Sequence, residues 1–492
     1  MTECTITTRK EDSTFTMKYK STRGDVTGRT FEEALFTGYA ADGGLILPET
    51  IPKIDAKELK SWAKLSYVEL AKKIVPLFVG EDEIPTSDLS DIIDKAFSRF
   101  SVPEVSPIKR LPDGLNVMEL FHGPTWSFKD LALSCVGQFI PYFLSKRKKH
   151  FNIIVGTSGD TGSSAIEAVR GQKWIDIVVL LPKGRCSQIQ ELQMTTVIED
   201  NVHVYRVDGS SDDLDAPIKL CFRDNTFTKR HNLSSINSIN WARIMVQTVH
   251  YIYAYLQMCP SCDKIVQVVV PTGALGNITS GIIAREMGVQ LEFVCAVTQN
   301  DVVARTIQTG NYAIADHVIE TLAPAMDIQI PYNMERIWYV LTGGDCKLIK
   351  KLMTEFEETG NVMVPKEITE ALQKVVADTF VATDDVIRRT MKRTWDAHEY
   401  LVCPHTATGV AYHYQQLQKN PEEKKARIII ATASVIKFEE ALQSAAIPFT
   451  RDPRVSKLFE SKQRYKDMKK EDNWLEMLQD KIEDIDRNRT KE

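Results

Sequence analysis

From residue 31 to about residue 100 the apolar positions recur at helical spacing, in FEEALFTGYA, SYVELAKKIVPLFV and SDLSDIIDKAFSRF, with breaks at Pro48, Pro52 and Pro85. From residue 115 the rhythm changes, and short β-branched runs alternate with amphipathic segments. The runs at 115–120, 152–155, 176–181, 202–207, 265–270, 291–297 and 427–431 predict strands. The segments at 129–144, 163–170, 188–199, 241–258 and 276–287 predict helices. This alternation predicts an α/β fold of parallel sheets flanked by helices, preceded by an N-terminal helical region. Ligands in such folds sit beyond the carboxyl ends of strands, so chemistry is expected in the strand-to-helix loops.

Residues 345–425 predict a wholly helical insert. The tail is highly charged, with apolar residues at Leu458, Phe459, Trp474, Leu475, Met477, Leu478 and Ile482, a pattern for an amphipathic helix lying on the body or on a second subunit. The expected organisation is a flexible tail at 1–16, an N-terminal domain at 17–110, a catalytic region of two α/β lobes at 111–446 and a charged helical tail at 447–492. The stripe at 241–258 reads as core, with only its first residues near a site.

Composition narrows the function classes. The 492 residues are 43% hydrophobic and 26% charged, with a formal net charge of −5. That charge speaks against nucleic acid and anionic membranes as partners. No apolar run approaches the roughly 20 residues that span a bilayer. Residues 1–16 are polar, contain Glu3, Glu11 and Asp12, and lack a signal core, so a cytoplasmic location is expected. The nine cysteines read as reduced thiols. Cys259 and Cys262 have zinc-like spacing but no companion pair, and no metal is expected.

Three strand-to-helix loops carry candidate chemistry. Residues 156–165, GTSGDTGSSA, combine glycine turns with hydroxyls and a following helix start, which makes an anion seat. Residues 271–279, PTGALGNIT, repeat that logic. Residues 122–130, HGPTWSFKD, set Lys129, flanked by Trp126 and Phe128, at the mouth of an apolar pocket. Desolvation there disfavours the ammonium and prepares a nucleophilic amine for imine formation with an aldehyde. His122, His405 and His413 read as histidines that hold loops.

The segments HGPTWSFKDLALS, GTSGDTGSSAIEAVRG, SINSINWARIMVQ, VPTGALGNITSG, APAMDIQIPYNMER and CPHTATGVAYHY occur in the same order as in threonine synthases, and the resemblance spans residues 17–446. Those are pyridoxal-phosphate (PLP) enzymes of fold type II, the tryptophan-synthase-β group. The resemblance implies that Lys129 is the Schiff-base lysine. It implies that Thr272, Gly273, Ala274, Leu275, Gly276 and Asn277 hold the cofactor phosphate, that Asp160 lies near the ring hydroxyl, and that Thr432 faces the pyridine nitrogen. Thr157, Ser158, Gly159 and Thr161 match the loop that receives the substrate carboxylate. Lys183, Asn240 and Arg243 are candidates for the substrate's own phosphate.

Two departures matter. The family's phosphate loop reads SGNFGD where this chain has TGALGN, and its TAHPAKF segment is TASVIKF here, with Ser434, Val435 and Ile436 replacing His, Pro and Ala. Both changes are expected around the reacting centre, where threonine formation needs an ordered water. The expected activity is therefore a PLP-dependent phospho-lyase converting O-phosphothreonine or O-phosphohomoserine to 2-oxobutyrate, ammonia and phosphate. The alternatives are a threonine synthase using O-phosphohomoserine, a dehydratase of unphosphorylated serine or threonine, and a non-catalytic scaffold. The expected partner is a small phosphorylated amino acid, and the chain a monomer or homodimer.

Overall fold

The computed structural model describes residues 16–489. Its strands begin with a two-stranded antiparallel ladder, β1 (Tyr19–Ser21) and β2 (Ile46–Pro48). There follow β3 (Ile108–Arg110), β4 (Asn116–Glu119), β5 (Phe151–Gly156), β6 (Ile175–Pro182), β7 (Val202–Val207) and β8 (Leu233–Ser234). The rest are β9 (Val266–Pro271), β10 (Leu291–Val297), β11 (Asn311–Ala313), β12 (Asn361–Met363), β13 (Val376–Val381), β14 (Arg427–Ala431) and β15 (Lys466–Met468).

Two sheets organise the molecule. The larger runs β13-β10-β9-β14-β4-β3, parallel except at the β4–β3 edge. The smaller runs β15-β7-β6-β5-β8 and is parallel throughout. Side chains alternate across each strand, so a strand covered on both faces must be apolar at every position. In β6, Ile177 and Val179 join the main core, whereas Val178 and Leu180 pack beneath the C-terminal helix with Leu478 and Ile482. In β9, Val268 and Val270 face the main core while Val269 faces Ala407 and Val410 on the other side. That demand explains the apolar runs IVVLL (177–181) and VVV (268–270), with Asp176 and Gln267 near the strand starts satisfied by side-chain partners. The helices Lys129–Arg147, Trp241–Met258 and Gly276–Glu286 supply much of the main core, and Trp241 at the head of the second is fully buried.

Every run expected as a strand lies in one, with ends shifted by a residue or two. The wholly helical reading of 345–425 is corrected. That stretch contains β12 and β13, and β13 pairs in parallel with β10 to form the edge of the larger sheet. Its six residues follow the helix Lys366–Val375 without a break, so the strand carries no turn signal of its own. The tail is likewise mixed. Helices Pro453–Glu460 and Trp474–Arg489 flank β15, which extends the smaller sheet beside β7. Apart from Thr16, the flexible tail expected at 1–16 lies outside the described residues. Among the described residues no helix is long and apolar enough to cross a membrane, and no cluster of three or more His, Cys, Asp or Glu is placed to hold a metal.

The C-terminal helix buries Leu478, Ile482 and Ile485 on the body, and Asp176 at the start of β6 accepts from Arg489, His150 and His203. Leu478→Ala is expected to destabilise the protein by about 3 kcal/mol, the usual cost of a Leu→Ala cavity. A lowered urea midpoint at unchanged slope is the expected result. An unaltered midpoint would mean that this helix adds nothing to the stability of the lobe.

Candidate active site

Four loops at the carboxyl ends of β4, β5, β9 and β14 meet at one cleft between the two sheets. Lys129 opens a helix on the loop after β4. This loop is zipped against the chain after β14: Phe128 N–H donates to Thr432 O at 2.8 Å and Ser434 N–H to Trp126 O at 3.0 Å. Trp126 is held in the left-handed region, with φ of 61°, a conformation that a bulky side chain adopts only when its surroundings impose it. Asp130 locks the same loop by accepting from Thr125 N–H at 2.7 Å, Thr125 Oγ1 at 2.6 Å and Ser164 Oγ at 2.5 Å. The backbone that carries Lys129 is thereby fixed.

The cleft has a cavity volume of about 100 Å³, and its walls include Lys129, Ser158, Asp160, Arg243, His405 and Thr432 together with the entire 270–278 turn. Lys129 Nζ lies 3.1 Å from Asp160 Oδ2, and its side chain is 12% exposed. The second oxygen, Asp160 Oδ1, lies 2.6 Å from Lys437 Nζ and 2.8 Å from Gln190 Nε2. Lys437 is fully buried, and its ammonium also donates to Thr125 O at 3.0 Å.

Burial alone would raise the Asp160 carboxyl, yet Lys129 and Lys437 together hold it far below the usual carboxylate range. Burial pushes the Lys129 ammonium down; Asp160 opposes that shift, while Lys437 and Arg243 reinforce it. His405 is pushed down to about 3 by burial, so it is neutral, and its Nε2 accepts from Ala325 N–H at 3.1 Å. Arg243 is lowered by burial to about 10 and remains a cation at neutral pH. Even with Lys129 deprotonated, Lys437 and Arg243 against the one carboxylate of Asp160 leave a surplus of positive charge in a low-dielectric cleft, which selects anionic ligands.

A planar pyridine aldehyde with a phosphate arm fits this lining. The turn after β9 leads into the helix Gly276–Glu286, and among the described residues the amides of 273–278 donate to no protein acceptor. Free amides at a helix start are a phosphate seat. Leu275 is held at a φ of 64° to present them. A side chain at Gly273 would lie 2.9 Å from Ala325 O, so only glycine allows the 325 segment to close over this turn. Among the described residues, neither the buried Asn277 Nδ2 nor the buried Thr432 Oγ1 has a hydrogen-bond partner. Unsatisfied buried polar atoms are costly in a finished fold; here a phosphate oxygen and a ring nitrogen would be their partners.

Every residue expected to hold the cofactor lines the cleft: Lys129, Asp160, Thr272 through Asn277, and Thr432. Of those expected at the substrate, Ser158, Thr161 and Arg243 line it too. Thr157 lines only an adjoining cleft, and its Oγ1 accepts from the amides of Gly159 and Gly162 at 3.0 and 2.9 Å. Gly159 faces neither cleft; its φ of 136° lets the chain turn against Gln190.

Two expectations are corrected. Asn240 is the N-cap of the helix Trp241–Met258: its Oδ1 accepts from Ala242 N–H at 3.0 Å while Nδ2 donates to Leu35 O and Ser235 O. Lys183 is 49% exposed and pairs with Asp467 at 3.5 Å on the β15 side. Neither lines either cleft. Nor do Ser434, Val435 and Ile436, so the TASVIKF departure touches the site only through Thr432 and, behind the wall, Lys437.

Residues that the sequence reading passed over stand in the adjoining cleft, which shares Ser158, Thr161, Ser238 and Ala274 with the first. Asn237 lines it with a buried, unpartnered Oδ1. Asp212 and Asp215, both pushed up to about 6 by burial, bond Gln329 N–H at 2.9 Å and Tyr332 OH at 2.7 Å.

Comparison with known proteins agrees with this lining. Residues 18–97 match the model of the threonine synthase N terminus, 106–432 that of pyridoxal-phosphate dependent enzymes, and 406–482 that of the threonine synthase C-terminal region. Threonine synthase-like 2 of Pongo abelii is 50% identical over 475 residues, 96% of this chain and 98% of its own length. The crystal structure of threonine synthase from yeast superposes with a TM-score of 0.85 at 35% identity, covering 95% of this chain and 98% of that one. PLP-bound threonine synthase from Brucella melitensis gives 0.85 at 33% over the same shares. With three family models along its length and relatives nearly coextensive with it, the chain belongs to the threonine synthase family of PLP-dependent enzymes of fold type II.

Proposed function

We propose that the protein is a cytoplasmic phospho-lyase that removes phosphate from O-phosphothreonine or O-phosphohomoserine, giving 2-oxobutyrate, ammonia and phosphate. The observation that carries this reading is the scarcity of acid–base groups in the cleft. Among the described residues lining this cleft, Lys129 is the one side chain poised as a base: His405 is neutral with Nε2 occupied, Asp160 is held ionised by its lysines, Arg243 stays charged, and Asp212 and Asp215 line only the adjoining cleft. Elimination from O-phosphothreonine needs one base. Threonine formation needs, besides that base, a positioned water at Cβ and a further proton relay.

Pyridoxal phosphate supplies an aldehyde for the substrate amine and an electron sink for the carbanion formed at Cα. The amides of 273–278 and Asn277 Nδ2 would hold its phosphate, and the neutral Thr432 hydroxyl would meet its ring nitrogen. Ser158 and Thr161, on either side of the start of the helix Asp160–Val169, orient the substrate carboxylate. Arg243 Nε, buried and unpartnered, is the donor for the substrate phosphate. Lys129 Nζ takes the α-proton, and its lowered proton affinity supplies the neutral amine this requires. From O-phosphothreonine, phosphate then departs from Cβ with the bonding pair; from O-phosphohomoserine, a second proton leaves Cβ, phosphate departs from Cγ and Cγ takes a proton. Water releases ammonia from the remaining enamine in both cases.

A second reading, synthesis of threonine from O-phosphohomoserine, draws on the likeness to the yeast enzyme, whose name states that activity. Product analysis separates the two. Incubation with each phospho-substrate is expected to yield 2-oxobutyrate and phosphate in equal amounts; stoichiometric threonine from O-phosphohomoserine would overturn the lyase reading. Lys129→Ala is expected to lose the visible absorbance of the loaded protein and to slow phosphate release by roughly 10³-fold. Arg243→Gln is expected to raise KM for O-phosphothreonine roughly tenfold, the equivalent of one charge-assisted hydrogen bond. Because Lys129 must be neutral and burial lowers its pKa, kcat is expected to rise with pH and level off well below the ordinary lysine value of about 10.4; a profile still climbing at pH 10 would contradict that role.

A further inference from the structure

Lys437 is the group that the mechanism above leaves unused. It sits in a short 3-10 turn, Val435–Lys437, six residues beyond the end of β14. Its side chain is wholly buried, yet it carries an ammonium into the interior, where an unpaired charge is costly. Two acceptors hold it there, Asp160 Oδ1 at 2.6 Å and Thr125 O at 3.0 Å. Its carbonyl accepts from Ser187 Oγ at 2.8 Å, which fixes the backbone that carries it. Asp160 thus stands between two lysines, one on each oxygen, and Gln190 Nε2 closes the remaining approach to Oδ1 at 2.8 Å.

A buried lysine kept only for stability is an expensive device, because an apolar side chain of similar volume would serve as well. The arrangement makes sense in terms of Lys129. With Asp160 alone beside it, the Lys129 ammonium would form a tight ion pair and keep its proton. With a second cation on the same carboxylate, that attraction is shared and a like charge is added nearby. The other charged or titratable groups around the pair are Arg243 and His405 in the cleft, Asp130 beneath Lys437, and the thiols Cys186 and Cys403 near Asp160. Burial raises both thiols, so they are neutral. Asp130 is already committed to Thr125 and Ser164.

We propose that Lys437 is a positioning residue for the amine: by occupying Oδ1 of Asp160 it leaves Lys129 facing a carboxylate whose charge is already shared, so that Lys129 gives up its proton near neutral pH. Asp160 still orients the Lys129 nitrogen through Oδ2. Lys437 itself touches neither cofactor nor substrate. The proposal rests on the reading of Lys129 as the amine that condenses with the cofactor aldehyde.

The test follows capture of pyridoxal phosphate by the full-length, cofactor-stripped protein, as growth of visible absorbance between pH 6 and pH 10. The rate tracks the fraction of Lys129 that is neutral. Lys437→Gln and Lys437→Met are expected to capture the cofactor about tenfold more slowly than wild type at pH 7, a one-unit rise in the Lys129 pKa. The deficit should vanish toward pH 10, and Lys437→Arg should stay close to wild type. A purely structural lysine would give an equal slowing at every pH, and that result, or wild-type rates in both neutral variants at pH 7, overturns the proposal. So does failure of both to fold, since Lys437→Gln keeps a hydrogen-bond donor and its collapse would assign Lys437 to stability. Lys129→Ala separates the two levels: if it still gains the absorbance, the identity of the amine is wrong and this inference goes with it. If it gains none, the behaviour of the Lys437 variants bears on Lys437 alone.

Discussion

The Asp160 carboxylate is the contact on which the site depends. It stands at the start of the helix that follows β5 of the smaller sheet, while both lysines that grip it belong to segments beyond the larger sheet, Lys129 after β4 and Lys437 after β14. A single buried anion therefore joins the two lobes across the cleft. Desolvation makes that anion expensive, and the two lysine nitrogens offset it only in this geometry, Lys437 through its ion pair and Lys129 through a hydrogen bond. Moving either sheet relative to the other would strand a charge, so the width of the cleft is set electrostatically as well as by packing. Excess positive charge then remains for anionic ligands, which is why charge distribution and cofactor preference are one property here.

Much of this was legible in the sequence, because each legible feature follows from a local rule. Strands covered on both faces are forced to be apolar along most of their length, and so β6 and β9 announce themselves. Glycine-containing turns between such strands and helices mark free amides. The features that escaped depend on pairing at a distance. β13 merges with the preceding helix and is defined only by β10, some eighty residues earlier; β15 is defined only by β7, about 260 residues away. Lys437 escaped for a similar reason. A lysine between Ile436 and Phe438 shows no sign that its partners are Asp160 and Thr125.

Asn240 is a different kind of miss, since the signal was present. An asparagine directly before eighteen residues of helix is an N-cap in the ordinary course, and its side chain is spent on that duty. Arg243, one turn further along, is the residue of that segment that reaches the cleft. Asn237, three residues before the cap, projects into the adjoining cleft. A helix start thus divides the SINSINWAR segment by role: residues outside and inside the helix meet the clefts, and the cap between them holds the turn.

The replacement of an acid by Asn277 in the cofactor turn looks, from sequence alone, like a loss. The surroundings argue otherwise. Asn277 Oδ1 accepts from His250 Nε2 at 2.9 Å and Tyr251 OH at 2.8 Å. His250 is fully buried and pushed down to about 3 by that burial, so it stays neutral. A carboxylate at position 277 would be an anion beside a neutral imidazole and a phenol, in the very turn proposed above to seat a phosphate. Its second oxygen could only accept, and two negative groups would share one low-dielectric pocket. The amide keeps both acceptor contacts and turns the other atom into a donor, Nδ2, which is left unpartnered. The departure from the family pattern thus removes a repulsion and adds a hydrogen bond in the direction of the anion. It alters the electrostatics of the cofactor seat without emptying it, and any difference in reaction outcome must be sought on the substrate side of Lys129.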